Sequence, residues 1–282
     1  MEAIPRRQLA LDFDPEAVPR DWYAGDAYTT TFLDALSLLF PEGERFFVES
    51  VKQHRGFVTG ELRDAVAGFI GQEAMHGKQH RAFNAMLVAH GYATAPRIER
   101  GVGRFLRRVR RTLSPRSQLA ATCALEHFTA ILAEGLLTDR RMREHMHAAM
   151  RGLWAWHALE ESEHKAVAFD VYRAAGGGYA RRVAIMVLTT AVFFAYASAV
   201  HVRLMAARGI VLRPWRWLRG LTWMWIWPAH FTRLAPAYLA YYRPGFHPDV
   251  RDTRALLARW RDRLFGDRGE LRDRLVYSPS AT

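Results

Sequence analysis

The pattern Glu-x-x-His occurs twice in this chain, as Glu73-Ala-Met-His76 and as Glu161-Ser-Glu-His164. Both copies lie in segments whose apolar residues recur with helical spacing, and residues three apart in a helix share one face. Each copy can therefore present a carboxylate and an imidazole to a single point. A chain that carries this pair twice is expected to fold as a helical bundle in which the two segments face a common interior.

The helical spacing of apolar residues extends from Ala27 to about Ala174, and strand-like alternation is scarce. Gly91 and the run Gly176-Gly177-Gly178 supply stop signals. A basic stretch, Arg97–Arg111, is expected to connect the second main helix to the third. The four main predicted helices cover Ala27–Val58 with Pro41 as a candidate break, Glu61–His90, Ser114–Thr138 and Met142–Ala174.

Two further carboxylates complete a possible metal site. Glu44 in the first predicted helix and Glu126 in the third are flanked by apolar residues, where a charged carboxylate is costly unless it is paired or bound to metal. The chain order is then Glu, Glu-x-x-His, Glu, Glu-x-x-His, which is the order of ferritin-like di-metal carboxylate proteins. The predicted fold is therefore all-α, a ferritin-like four-helix bundle with additional C-terminal hydrophobic helices. Such a site would hold two metal ions. Carboxylate and imidazole ligands suit iron, with manganese as the alternative.

Several neighbouring side chains compete with this assignment or add to it. Glu160 and Glu163 compete with Glu161, and Glu160 lies four residues before His164, which is also a same-face spacing. Glu42 competes with Glu44, although a solvated position in the first turn after Pro41 is its simpler interpretation. His80 and His157 each lie one helical turn from one of the two motifs. Each is either an additional metal ligand or a hydrogen-bond partner of a ligand. No catalytic residue beyond the metal ligands can be named from the sequence.

The segments PEGERFF, GQEAMHGKQH, ALEHFTA and WHALEESEHKAVAFDVY resemble the bacterial "predicted metal-dependent hydrolase" family, which is ferritin-like. The resemblance covers about Leu33–Tyr172. It implies that six residues are the metal ligands: Glu44, Glu73, His76, Glu126, Glu161 and His164.

Ferritin-like sites with two Glu-x-x-His motifs more typically activate dioxygen than hydrolyse bonds. The expected function is therefore a di-iron oxygenase or oxidase that acts on a hydrophobic or lipid-like substrate and uses an electron donor. The first alternative is a metal-dependent hydrolase that uses a metal-activated water. The second alternative is a non-catalytic metal-binding protein.

The C-terminal third has a different composition. Val183–Val202 carries no formal charge and is just long enough to cross a bilayer. After it, Trp215 and Trp217 stand next to Arg213, Arg216 and Arg219, which resembles an interfacial belt. The competing interpretation of Val183–Val202 is a core helix packed on the bundle. The predicted organisation is an N-terminal arm over residues 1–26, the metal-binding bundle over 27–178 and a hydrophobic, basic helical region over 179–282.

Charge and cysteine content bear on partners and location. The chain has 40 Lys and Arg against 28 Asp and Glu, a formal net charge of +12, which favours an anionic partner. A membrane surface is the expected one, and nucleic acid is disfavoured because the arginines from Arg104 to Arg111 lack a recognisable reading motif. The single cysteine, Cys123, excludes an internal disulfide. The N-terminal segment has no apolar core of the secretory type, so the expected location is the cytoplasm, at or in the inner membrane.

Overall fold

Helices make up most of the regular structure. The computed structural model describes residues 4–277, and within these residues only two short strands, β1 Gln8–Leu9 and β2 Leu275–Tyr277, pair with each other. The predicted all-α class is confirmed. The eleven α-helices of the described residues are α1 Ala27–Lys52, α2 Gly60–Ala89, α3 Ala95–Thr112, α4 Pro115–Thr138, α5 Arg140–Glu144, α6 Ala148–His164, α7 Val167–Ala174, α8 Tyr179–Ala207, α9 Pro214–Leu221, α10 Ala235–Ala240 and α11 Arg254–Phe265.

Four helical segments enclose a common interior: α1, α2, α4, and α6 together with α7. α1 packs along α2, and α4 packs along α6 and α7, while α1 also contacts α4 and α2 contacts α6 and α7. α3 lies against α1, and α8 lies across α1 and α4. The helices that carry the candidate ligands are therefore the helices that face one another.

Pro41 does not break α1, although the sequence marked it as a candidate break. A proline inside a helix removes the hydrogen bond to the carbonyl four residues earlier, which here belongs to Ser37. The Asn84 side chain of α2 donates from Nδ2 to that carbonyl at 3.2 Å. The neighbouring helix thus satisfies the acceptor that proline leaves free, and α1 continues.

Two predicted helices are shorter in the structure. α1 ends at Lys52 rather than near Val58, where the His54 ring hydrogen-bonds from Nδ1 to the carbonyl of Ser50 at 2.8 Å and a single 3₁₀ turn follows. The fourth predicted helix is divided into α5, α6 and α7. The break after His164 coincides with Lys165, whose Nζ donates to the carbonyl of Arg251 at 2.7 Å in a distant segment. Neither contact has a signature in the local pattern.

The N-terminal arm lies across the bundle instead of projecting from it. Its apolar side chains Leu9, Val18 and Trp22 are buried in the main core. The Trp22 indole donates from Nε1 to Asp34 of α1 at 2.9 Å. The arm is therefore part of the packed core of the bundle. The predicted division of the chain at residue 178 remains a prediction.

Two helices of the described chain, α4 and α8, are long and apolar enough to cross a membrane by length and composition alone. They differ in burial. About two thirds of the relevant window of α4 is buried, against about a fifth for α8. α4 is thus a core helix, whereas α8 covers the predicted run Val183–Val202 and leaves Val187, Leu188 and Phe194 exposed.

Candidate metal centre

Six side chains predicted from sequence meet in the interior of the bundle. All six are nearly inaccessible to solvent: Glu44, Glu73, His76, Glu126, Glu161 and His164. One group of candidate ligand atoms comes from Glu73, Glu126, Glu161 and His164, and another from Glu44, Glu73 and His76, with the atoms of each group within 4.8 Å of one another. Glu73 belongs to both groups. These groups overlap, so the cluster offers neighbouring metal positions that share a carboxylate.

The polar atoms of this cluster lack the partners that buried polar atoms need. Both carboxylate oxygens of Glu44, of Glu73 and of Glu126 have no hydrogen-bond partner within the described protein. The same holds for Nδ1 of His76 and Nε2 of His164, although His164 Nε2 lies 3.1 Å from Glu73 Oε1 and can pair with it as a charged imidazolium. An unpaired buried carboxylate is strongly unfavourable, and a buried cation removes the cost. The donor set of four carboxylates and two imidazoles therefore fits metal ions, and it suits iron, manganese or zinc.

The pKa values of the side chains in this cluster show the same need for positive charge. Burial and the neighbouring carboxylates hold the pKa values of Glu44 and Glu126 well above their usual range. Burial acts in the same direction on Glu161, yet the neighbouring histidines, above all the charge of His164, outweigh it and hold the pKa of Glu161 well below its usual value. For His76, burial opposes protonation, but Glu160 and Glu161 raise its pKa to about 10. Protons on histidine thus supply part of the charge that bound metal ions would supply.

The two motif histidines are held in place by their other ring nitrogens. His76 Nε2 lies 3.1 Å from Glu160 Oε2, and Arg7 of the arm donates to Glu160 Oε1 at 3.0 Å. His164 Nδ1 lies 2.8 Å from Gln72 Oε1. Such partners fix the ring orientation of a metal-binding histidine, and each leaves one nitrogen facing the carboxylates. Glu160 therefore contacts a candidate ligand and not the shared interior.

His80 and His157 extend the cluster as a hydrogen-bonded chain. Ser37 donates to Asn84, His80 Nδ1 lies 2.8 Å from Ser37 Oγ, and His80 Nε2 lies 2.7 Å from His157 Nδ1. If each ring carries one proton, these bonds place the proton of His157 on Nδ1. Its Nε2 then presents a lone pair to Glu161 Oε1, 2.9 Å away. A cation between these two atoms would stabilise the pair, so His157 is positioned as an additional ligand.

Burial and the charge of His76 also lower the pKa of His157 to about 4. The neutral form favoured by this shift is the form that binds metal. For His80, burial and the charges of His157 and His76 hold the pKa well below its usual value. Glu42, the other candidate in the first helix, pairs with Arg45 and lies outside the cluster.

Sequence reasoning missed three residues that shape the centre. Arg7 was part of an arm with no assigned role, and its position depends on the tertiary path of residues 4–26. Gln72 precedes Glu73 directly, so only its place on the helix could have suggested a partner for a ligand. Phe40 packs on His80 and His157, with ring centroids 4.7 and 4.9 Å apart, and a single phenylalanine in an apolar stripe carries no signal of such a role.

These features define a helical protein with a buried carboxylate and imidazole centre suited to metal ions. A family model described as "Predicted metal-dependent hydrolase" matches residues 5–252. Because the match covers most of the sequence, the chain belongs to this family. No curated protein and no solved structure gives a significant match.

The family match corrects the expected function. The sequence interpretation favoured a di-iron oxygenase or oxidase, and this prediction is wrong, because the family described by the model is one of metal-dependent hydrolases. The error came from assigning a reaction to a ligand pattern. The same carboxylate and imidazole set can serve redox or hydrolytic chemistry, and the sequence of the ligands does not distinguish the two. Metal dependence agrees with both interpretations.

Proposed function

We propose that the protein is a metal-dependent hydrolase whose centre holds two divalent metal ions. The observation that carries this proposal is the group of buried carboxylate oxygens without hydrogen-bond partners around Glu73. One ion would be held by Glu44, Glu73 and His76, and the other by Glu73, Glu126, Glu161 and His164. When bound, such ions lower the pKa of a coordinated water and supply a nucleophile near neutral pH.

The reaction would add water across an ester or amide bond and release an acid together with an alcohol or amine. The chain itself contributes orientation and exclusion of bulk water. Glu160, held by Arg7, orients His76, and Gln72 orients His164. Phe40 and Trp154 cover His80 and restrict access from that side. The iron or manganese expected from sequence remains a proposal, and zinc is also compatible with hydrolysis.

The test is hydrolysis by protein that has been stripped of metal and reloaded with Mn²⁺, Zn²⁺ or Fe²⁺ under anaerobic conditions. Acid release from a panel of p-nitrophenyl esters and anilides is measured for the wild type and for Glu126→Gln. We expect metal-dependent turnover that falls by more than about 100-fold in Glu126→Gln, a larger loss than removal of an outer partner of a ligand causes.

The matched control is Glu134→Gln, two turns further along α4, where the carboxylate pairs with Arg251 outside the centre. This variant should keep the wild-type rate. Activity that survives metal removal, or that falls equally in the two variants, would contradict the proposal.

We also propose that the protein rests on an anionic membrane surface. The apolar surface in question consists of Val187, Leu188, Val192 and Phe194 of α8 with Trp225, Ile226 and Trp227 of the segment after α9, all substantially exposed. Phe194 and Trp225 line one common pocket, so the two parts adjoin.

Positive charge flanks this apolar surface. α3 lies beside α8, where Phe105 stacks on Tyr196 with ring centroids 5.3 Å apart. Exposed arginines of α3, among them Arg104 and Arg108, therefore lie next to the apolar surface. An apolar patch bordered by arginines fits the acyl and headgroup layers of an acidic bilayer.

A further inference from the structure

An apolar cavity leads from the protein surface to the metal centre. Its volume is about 340 Å³, within the range of small-molecule sites. It lies between α1, α3, α4 and α8, and the helical stripe Leu36, Phe40, Gly43 and Phe47 forms its floor. Among the described residues that line it, Glu44 alone carries a charge. We refer to this cavity as the apolar channel.

The inner end of the apolar channel reaches candidate metal ligands. Glu44 forms part of its wall, and Phe40 separates it from a smaller cavity of about 80 Å³ that touches His157 and Glu161. The two cavities share Leu36 and Phe40 in their walls. A group at the inner end would therefore lie beside Glu44, with Phe40 between it and the side of the cluster formed by His157 and Glu161.

The outer end opens on the apolar surface described above. Leu188 and Val192 of α8 line the channel and are 50% and 36% exposed. A ligand can thus enter between α3 and α8 without passing a charged side chain at the rim. An apolar cavity of this kind favours apolar ligands over water.

We infer that the substrate is an ester or amide of an apolar chain, with the chain in the apolar channel and the carbonyl group at its inner end beside Glu44. This inference rests on the proposed hydrolysis for the nature of the bond and on the cavity alone for the chain. Water would add to the carbonyl carbon, the bond to the leaving oxygen or nitrogen would break, and the proton of the water would pass to that leaving group. The apolar channel thus selects substrates by chain length.

Gly43 provides a sharp test of the channel. It lies in the channel wall, and a Cβ atom built on it has no neighbour within 4 Å. Gly43→Phe therefore fills the channel, and Gly43→Ala fills it in part. Gly56 is the matched control, since its Cβ position is equally open and it lies outside the channel on the exposed 3₁₀ turn after α1.

The experiment measures binding of 1-butanol to 1-decanol by titration calorimetry, because these neutral probes do not depend on the metal ions. In the wild type we expect affinity to rise about fourfold for each added methylene until the channel is full. Gly43→Phe should weaken decanol binding by at least about tenfold, Gly43→Ala should weaken it less, and Gly56→Phe should bind as the wild type does. Thermal unfolding of each variant shows whether the fold is kept.

The outcomes separate this inference from the proposed function. Wild-type affinity that is independent of chain length overturns the apolar channel as a substrate site, whether or not the Gly43 variants fold. Equal binding of decanol by folded Gly43→Phe and by the wild type overturns it as well. Chain-length-dependent binding that is lost in Gly43→Phe, together with the absence of hydrolysis by metal-loaded protein, supports the channel and overturns only the hydrolase proposal.

Discussion

The side chains of the centre are arranged so that metal-free protein bears an electrostatic cost. Both carboxylate oxygens of Glu126 are buried and lack hydrogen-bond partners, and burial with Glu161 and Glu73 raises the pKa of Glu126 well above its usual value. Folding must then either protonate this carboxyl or leave it charged without a partner. A bound cation removes that cost, so the same residue should destabilise one form of the protein and stabilise the other.

We therefore predict that Glu126→Gln changes stability with opposite sign in the two forms. Without metal, the free energy of unfolding should rise by about 1 to 3 kcal/mol, because an uncompensated buried acid is replaced by a neutral amide. With metal at about 1,000 times the dissociation constant of the wild type, a variant that no longer binds metal loses a linkage energy of about 4 kcal/mol. Because the variant keeps its gain of about 1 to 3 kcal/mol, it should be less stable than the wild type by about 1 to 3 kcal/mol.

The measurement is denaturant unfolding at neutral pH of metal-free and metal-loaded protein, followed by circular dichroism. Glu134→Gln, on the same helix but outside the cluster, should change stability by less than about 1 kcal/mol in both forms. If Glu126→Gln lowers stability equally with and without metal, Glu126 has a packing role and is not a ligand.

At the scale of elements, a side-chain amide of α2 keeps the backbone of α1 satisfied at its proline. Pro41 leaves the Ser37 carbonyl without its helical donor, and Asn84 supplies the replacement while its Oδ1 accepts from Ser37 Oγ at 2.8 Å. This contact supports the continuity of α1 between Phe40 and Glu44, where the helix forms both the channel floor and one wall of the metal centre. The continuity of α1 is therefore a requirement of the site.

A double-mutant cycle tests this dependence. Asn84→Ala should cost about 1 to 3 kcal/mol of unfolding free energy, because it leaves the buried Ser37 carbonyl unsatisfied. In a Pro41→Ala background the helix regains its own donor, and the cost of Asn84→Ala should fall by about 1 kcal/mol. The coupling energy from the four unfolding curves is the readout. Additive effects of the two substitutions would mean that Asn84 acts only through its other contacts.

Local sequence predicts the helices well where a cap or a stop signal exists. Ser114 caps the N-terminus of α4. Gly91 and Gly176 follow α2 and α7 with positive φ angles that favour glycine. It fails where a distant segment decides the outcome, as Asn84 does for Pro41 and as the carbonyl of Arg251 does for Lys165. Periodicity describes one helix at a time and cannot report such contacts.

The same limit applies to the site. Glu73 and Glu161 were predicted from the repeated Glu-x-x-His pattern, and Glu44 and Glu126 because charged residues among apolar neighbours are rare enough to notice. Arg7 and Gly43 were not, since a basic arm and a helical glycine have many ordinary roles. The apolar channel arises from what four helices leave unfilled between them, and no single segment encodes an empty volume. The candidate ligands can therefore be predicted from the sequence, whereas the path by which a substrate reaches them depends on how the helices pack.

For the whole molecule, the proposed membrane-binding surface and the apolar channel together predict a path from the bilayer to the metal centre. The mouth of the apolar channel opens on the apolar surface of α8, so a chain leaving the bilayer would enter the channel without crossing water. The surface offers two contributions to binding, burial of apolar side chains and attraction between arginines and acidic headgroups. Salt screens only the second of these. Binding should therefore weaken at high salt without disappearing.

Vesicle co-sedimentation tests this expectation with residues that lie outside the channel wall. The intact protein should sediment with vesicles that contain phosphatidylglycerol, more strongly at low than at high salt, and less with vesicles of phosphatidylcholine alone. Val187→Asp combined with Ile226→Asp replaces two exposed apolar side chains of the surface and should weaken binding by at least about tenfold, since each buried aliphatic side chain contributes about 1.5 to 3 kcal/mol.

Phe57→Asp is the control, because Phe57 is as exposed as Val187, 55% against 54%, and follows α1 outside the apolar surface. Indifference of the intact protein to anionic vesicles, or equal loss in Phe57→Asp and in the paired variant, would mean that α8 is covered by something other than a membrane.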